Sequence, residues 1–259
     1  MTDKNELLTA ELYITAVFPV IKVLLKDDPA IAKKFEGVNA TVVFKGKNDD
    51  GGYIGATLIF NDGDLEVKPE PADDADIVFK FGSIKKMNTF LKGGTALPSI
   101  KGFTKPGLLI KVVSTLLRLK LMMPNVLPKK EHEKYLKVKL ALYMVSTALS
   151  KLNKLGDEKM VAWTSKQPDR IYQLSVDGTD IAVYLRVKAG KTKAGRGFYQ
   201  RKRPFVHMKF ANIDDALKVL LKDVEFVEAV DRKYIEIIGS PEYANMLNDF
   251  MMHIQAVTT

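Results

Sequence analysis

"FVHMKFANIDDALKVLLKDVEFVEAVDRKYIEIIGSPEYANMLNDFMMHI", residues 205–254, decides the fold. "FVHMKF" predicts a strand, and Asn212 opens a helix over "NIDDALKVLLKD". "KYIEIIGS" predicts a second strand that ends at Gly239. Pro241, a residue favoured in a first helical turn, starts a last helix running to about Ala256.

Working outward, the same order occurs upstream. "FKF" at 79–81, followed by Ile84 and Leu91, matches "MKF" at 208–210, followed by Ile213 and Leu220, at a constant offset of 129. "SIKGF" with Gly102 matches "IEIIGS" with Gly239. Before the fourth strand of the first half come a helix over residues 5–28 bent at Pro19 and the strands "ATVVFKGK", "YIGATLIF" and "LEVK". After it come a helix capped by Ser83, the short strand "SIKGF" and a helix from about Lys105 to Met122. The second half begins with a helical pattern over 135–155. It continues with "KMVAWTS", "RIYQLSV" and "DIAVYLRVK", read as a meander of three strands. Each half thus reads helix, meander, loop, strand, helix, strand, helix, which sets repeats at 1–128 and 129–259. Matching the turn at Gly63 to the turn at Gly178 gives the second repeat fourteen extra residues before its fourth strand. These include the basic stretch "KAGKTKAGRGFYQRKRP", 188–204, which is read as a loop insertion.

Composition narrows the function classes. With 259 residues, 46% of them apolar, the chain can bury a substantial core. It has no cysteine, which excludes disulfides and thiolate chemistry. Its N-terminus carries acids where a secretion signal would be basic, so a cytoplasmic, soluble protein is expected. The apolar runs 12–25 and 108–123 are broken by Lys22, Lys111, Arg118 and Lys120, and no membrane span is expected. The net charge is +9. Eight basic residues and no acid lie between Arg186 and Arg203, leaving the rest of the chain at +1, while "EVKPEPADDAD" at 66–76 is acidic.

Residues 210–254 resemble the C-terminal half of a sterol carrier protein type two domain: strand, short helix, second short helical turn, strand ending in Gly, long closing helix; residues 76–120 look like a shortened version without the second turn. The resemblance implies an α+β fold of two repeats, each a roughly five-stranded, mostly antiparallel sheet covered by helices. A closing C-terminal helix then encloses an apolar tunnel with the sheet. It implies non-enzymatic binding, and transfer, of a fatty acyl chain, sterol or phospholipid. On the matching positions the tunnel would be lined by Phe79, Phe81, Phe90, Leu109, Val112, Val113 and Leu116 in the first repeat. In the second it would be lined by Phe210, Leu217, Phe226, Tyr243, Leu247, Phe250 and Met251. The residues add that "KPGLLIKVVSTLLRLKLMM" is apolar around most of its circumference, so this helix has more than one face to bury. Core filling explains these side chains as well as ligand lining does. An interaction module with closed pockets is therefore the rival reading.

Catalytic signatures are missing. His132, His207 and His253 are dispersed, and Asp249 with His253 falls short of a metal set, so no metal or cofactor is expected. "GKT" at 190–192 fails as a phosphate loop because the required earlier glycine would fall on Leu185. No Gly-x-Ser-x-Gly motif occurs, and no enzymatic activity is expected. Lys191, Lys193, Arg196, Arg201, Lys202 and Arg203 are read as contacts for an anionic membrane surface or for the acidic loop, within the chain or across a homo-oligomer. Nucleic-acid binding through them is the weaker alternative, since one loop offers no groove-sized surface.

Overall fold

The computed structural model describes residues 3–258, which form two compact units: 3–121 with 257–258, and 122–256. In the first unit a continuous helical path runs from α1 (Lys4–Leu12), through a wide turn at Tyr13–Val17 and a tight turn at Phe18–Val20, into α2 (Ile21–Asp27). Pro19 has no N–H to donate, and its ring crowds the carbonyl one turn back. The helix accommodates it by a π-type bond from the Phe18 N–H to the Tyr13 carbonyl. Contrary to the reading that Lys22 interrupts it, Lys4–Asp27 is long and apolar enough to cross a bilayer. The segment is mostly buried, with Phe18 packed 5.1 Å from Phe44, as in a core helix. Asp28 caps α3 (Pro29–Phe35), accepting from the Ala30 and Ile31 N–H groups, and its other oxygen takes the Arg118 guanidinium at 2.5 Å.

The first sheet contains β1 (Asn39–Lys47), β2 (Tyr53–Asn61), β3 (Asp64–Lys68), β4 (Ile77–Phe81) and β5 (Ser99–Lys101), in the order β3-β2-β1-β4-β5. Helix α4 (Ile84–Leu91) and helix α5 (Pro106–Leu119) flank β5 in sequence. The second unit opens with α6 (Glu131–Lys154) and α7 (Glu158–Ser165). Next come β6 (Arg170–Val176), β7 (Ala182–Lys188), β8 (Lys191–Arg196), β9 (Val206–Phe210), α8 (Ile213–Leu220), α9 (Phe226–Asp231), β10 (Ile235–Gly239) and α10 (Pro241–Thr258). Its sheet order is β10-β9-β6-β7-β8, so the two sheets share one strand order and one set of strand directions.

Both sheets are mixed rather than mostly antiparallel. The third strand lies at one edge, and the chain must return across the sheet to place the fourth beside the first. That crossover makes β1–β4 and β6–β9 parallel. Each crossover is fastened by one buried side chain. In the first unit Thr57 donates through Oγ1 to the Glu70 carbonyl and accepts from the Ala72 N–H. In the second, Gln173 donates through Nε2 to the Val183 and Gly197 carbonyls and accepts through Oε1 from the Tyr199 N–H.

Two further sequence readings are corrected. "KMVAWTS" belongs to α7: Asp157 accepts from the Met160 N–H at 2.9 Å and Glu158 occupies the first turn, both helix-starting features. The basic stretch 188–204 is not an inserted loop either. Ala189 and Gly190, with φ of +45° and +78°, form a tight hairpin turn into β8, as Asp62 and Gly63 (+46° and +81°) do into β3. Counted from Gly63 and Gly190, the fourth strands start at Ile77 and Val206. The second unit is thus two residues longer there, not fourteen.

Candidate functional site

In the second unit, aromatic rings converge where α7 and α10 meet the sheet. Trp163 from α7 lies 5.1 Å from Tyr172 of β6, 5.3 Å from Phe250 and 6.4 Å from Tyr243 of α10. Phe205, just before β9, meets Tyr172 and Tyr243 edge-on at 6.1 and 5.2 Å. The guanidinium of Arg170 caps this group, 3.9 Å from the Phe205 ring and 4.5 Å from that of Tyr243. The Tyr172 hydroxyl donates to Gln167 Oε1, and burial pushes this phenol well above the usual tyrosine range. Trp163 is only 6% exposed, and its indole N–H has no hydrogen-bond partner among the described residues. A buried donor without an acceptor costs about 1–3 kcal/mol, so an acceptor oxygen placed beside it would be favoured.

The residues read from sequence distribute unevenly around this cluster. Tyr243 and Phe250 belong to it; Leu247 and Met251 are buried on the same helix; Phe210 and Leu217 are buried and Phe226 half-buried. In the first unit, Phe79, Phe81 and Phe90 form a ring chain with Phe44, whose ring stacks on Phe79 at 4.5 Å. Val112 is buried and Leu109 and Leu116 half-buried, whereas Val113 points outward. Trp163 is hidden from the sequence because 159–165 reads as a strand, and Arg170, Tyr172 and Phe205 join the site only through their packing with it and with one another. The Asp157–Glu158 pair before that stretch was the available helix signal.

Lys191, Lys193, Arg196, Arg201, Lys202 and Arg203 are all exposed. Lys202 lies 3.4 Å from Asp169, which also holds Arg186 through two hydrogen bonds. Those cations, Arg186 first, keep the Asp169 carboxyl down at about 2. Arg196 stands 4.7 Å over the Tyr143 ring. From the acidic stretch, Asp76 accepts from the Thr41 N–H at 2.7 Å and pairs with Lys105, which holds its carboxyl below the usual range.

One hydroxyl–imidazole pair also escaped the sequence reading. Ser175 Oγ lies 2.8 Å from His207 Nε2. Ser175 is only 2% exposed, and burial lowers the His207 pKa. Among the described residues no group of three or more His, Asp or Glu side chains is placed to hold a metal.

No protein-family model and no curated protein matches the chain. Among solved structures it is similar to a ubiquinone synthesis protein, UbiJ-SCP2, with 10% identity and a TM-score of 0.31, over 44% of this chain and 93% of that one. It is also similar to sterol carrier protein 2 like 2 from Aedes aegypti, with 15% identity and a TM-score of 0.30, over 43% of this chain and 97% of that one. A sec-alkylsulfatase from Pseudomonas sp. is similar over 64% of this chain but only 31% of its own, with 10% identity and a TM-score of 0.27. Likenesses of this size leave function to the residues of the chain itself.

Proposed function

We propose that the chain is a non-enzymatic, cytoplasmic lipid-binding protein built from two copies of one sterol-carrier-like unit. Its second unit would bind, and transfer, a fatty acyl chain, sterol or phospholipid between sheet and closing helix. The observation that carries this reading is the unsatisfied Trp163 N–H inside a wall of aromatic rings. An apolar ligand with a single hydroxyl, carbonyl or carboxyl oxygen would satisfy it while keeping the surroundings dry. Arg170, with rings and no carboxylate paired to it among the described residues, would face the polar end of such a ligand. Ser175, 2% exposed, is read as a structural partner of His207 rather than as a nucleophile.

Trp163 is the chain's single tryptophan, which gives a direct test. Titration with an anthroyloxy-labelled fatty acid is expected to quench its emission by energy transfer, and unlabelled palmitate to restore it. Native mass spectrometry with lipid extraction of protein purified from cells is expected to find a copurifying lipid. Absence of both energy transfer and copurified lipid would overturn the reading in favour of an interaction module.

The basic stretch is assigned a simpler role. Lysines on an exposed edge strand discourage pairing with another chain. Reversing Arg201, Lys202 and Arg203, scored by vesicle binding, oligomeric mass and gel shift with RNA and DNA, tests whether acidic partners use it as well.

A further inference from the structure

Helix α5 is apolar on two opposite faces. Val112 and Thr115, each 2% exposed, and Leu119 face inward, while Ile110, Val113 and Leu117, at 67%, 37% and 56%, form an outward stripe at i, i+3 and i+7. Phe103, 65% exposed, precedes this stripe by one loop. Around it the chain has a one-sided charge: residues 77–121 contain nine Lys or Arg and no Asp or Glu. Lys105 pairs with Asp76 and Arg118 with Asp28, while Lys101 precedes the helix, Lys111 borders the stripe and Lys120 follows its end.

We propose that the outward face of α5, with Phe103, is a docking surface for an anionic lipid bilayer. Ile110, Val113, Leu117 and Phe103 would enter the headgroup–acyl boundary while the surrounding lysines contact lipid phosphates. The charge pattern selects this occupant. A second copy meeting the same face would bring Lys101, Lys111 and Lys120 against the same three cations, and a nucleic acid would leave the apolar stripe unburied. The inference stands apart from ligand binding at Trp163, since a bilayer contact needs no occupied tunnel.

Co-sedimentation of the full chain with phosphatidylserine-containing vesicles tests it. The unaltered protein is expected to bind these vesicles, and to bind pure phosphatidylcholine much more weakly. The double variant Ile110→Gln, Leu117→Gln is expected to lose about tenfold or more in partitioning, because two apolar side chains no longer enter the bilayer. As both positions are exposed, its circular dichroism and its uptake of the anthroyloxy probe should not change. A second variant, Leu117→Trp in a Trp163→Phe background, should blue-shift on vesicles and be quenched by brominated lipid. Equal binding by the double variant, no quenching of Trp at 117, or no vesicle binding by the unaltered chain would each overturn the proposal. So would a concentration-dependent dimer that the double variant abolishes, which would assign the face to a second copy.

Discussion

Gly102 and Gly239 hold φ of +101° and +107°, each at the end of a fifth strand. A Cβ on Gly102 would fall 2.0 Å from the Asp76 carbonyl oxygen, and one on Gly239 would fall 2.1 Å from that of Phe205. Neither conformation nor space admits another residue, so Gly239→Ala is expected to destabilise the second unit by about 2 kcal/mol or more, read by urea denaturation. Lys137 supplies a pH dependence. Its ammonium donates to the Met123 and Val126 carbonyls from a buried position, and burial lowers its pKa to about 8. Between that value and the ordinary 10.5, the unfolded chain holds more protons than the folded one, so this group makes stability rise as pH rises through that window. Denaturation at pH 7.5 and 9.5 should show a smaller rise in Lys137→Met than in the unaltered chain. The matching of Gly102 with Gly239 was legible in sequence because a glycine that must be glycine leaves a mark. The lone Trp163 was not, since an indole donor without a partner is a property of surroundings contributed by three separate elements.

At the scale of elements, the crossovers depend on single polar side chains. Replacing Gln173 with Leu leaves the Tyr199 N–H and the Gly197 carbonyl without their partner. It is expected to cost about 1–3 kcal/mol and to speed hydrogen exchange at Tyr199. Removing the α7 cap by Asp157→Ala should cost about 1 kcal/mol and redden Trp163 emission as the ring cluster loosens. Helices with strong caps, such as α4 at Ser83 and α8 at Asn212, were legible from sequence, and both caps accept from the predicted turn. α7 was not, because Val161, Trp163 and Thr164 suit a strand equally well and the cap that settles the matter lies outside that run. Taking 159–165 as a strand completed a three-strand meander too early. β8 was thereby displaced into a loop, and the parallel pair was hidden.

Over the whole molecule, the two sheets carry the same wiring with different fastenings: a threonine hydroxyl at one crossover, a glutamine amide at the other. Charge was legible as a sum but misleading as a map. Outside Arg186–Arg203 the chain totals +1, and that near-neutrality conceals the acid-free run 77–121, balanced by acids elsewhere. The parallel pairs also bear on the order in which the protein comes together. Each meander is joined by short turns and can form from neighbouring residues alone, but β1 gains its second neighbour only when β4, from beyond the crossover, arrives; β6 waits likewise for β9. During synthesis, each central strand therefore has one side unpaired until its crossover has left the ribosome, and that interval is when a growing chain is most open to pairing with the wrong strand.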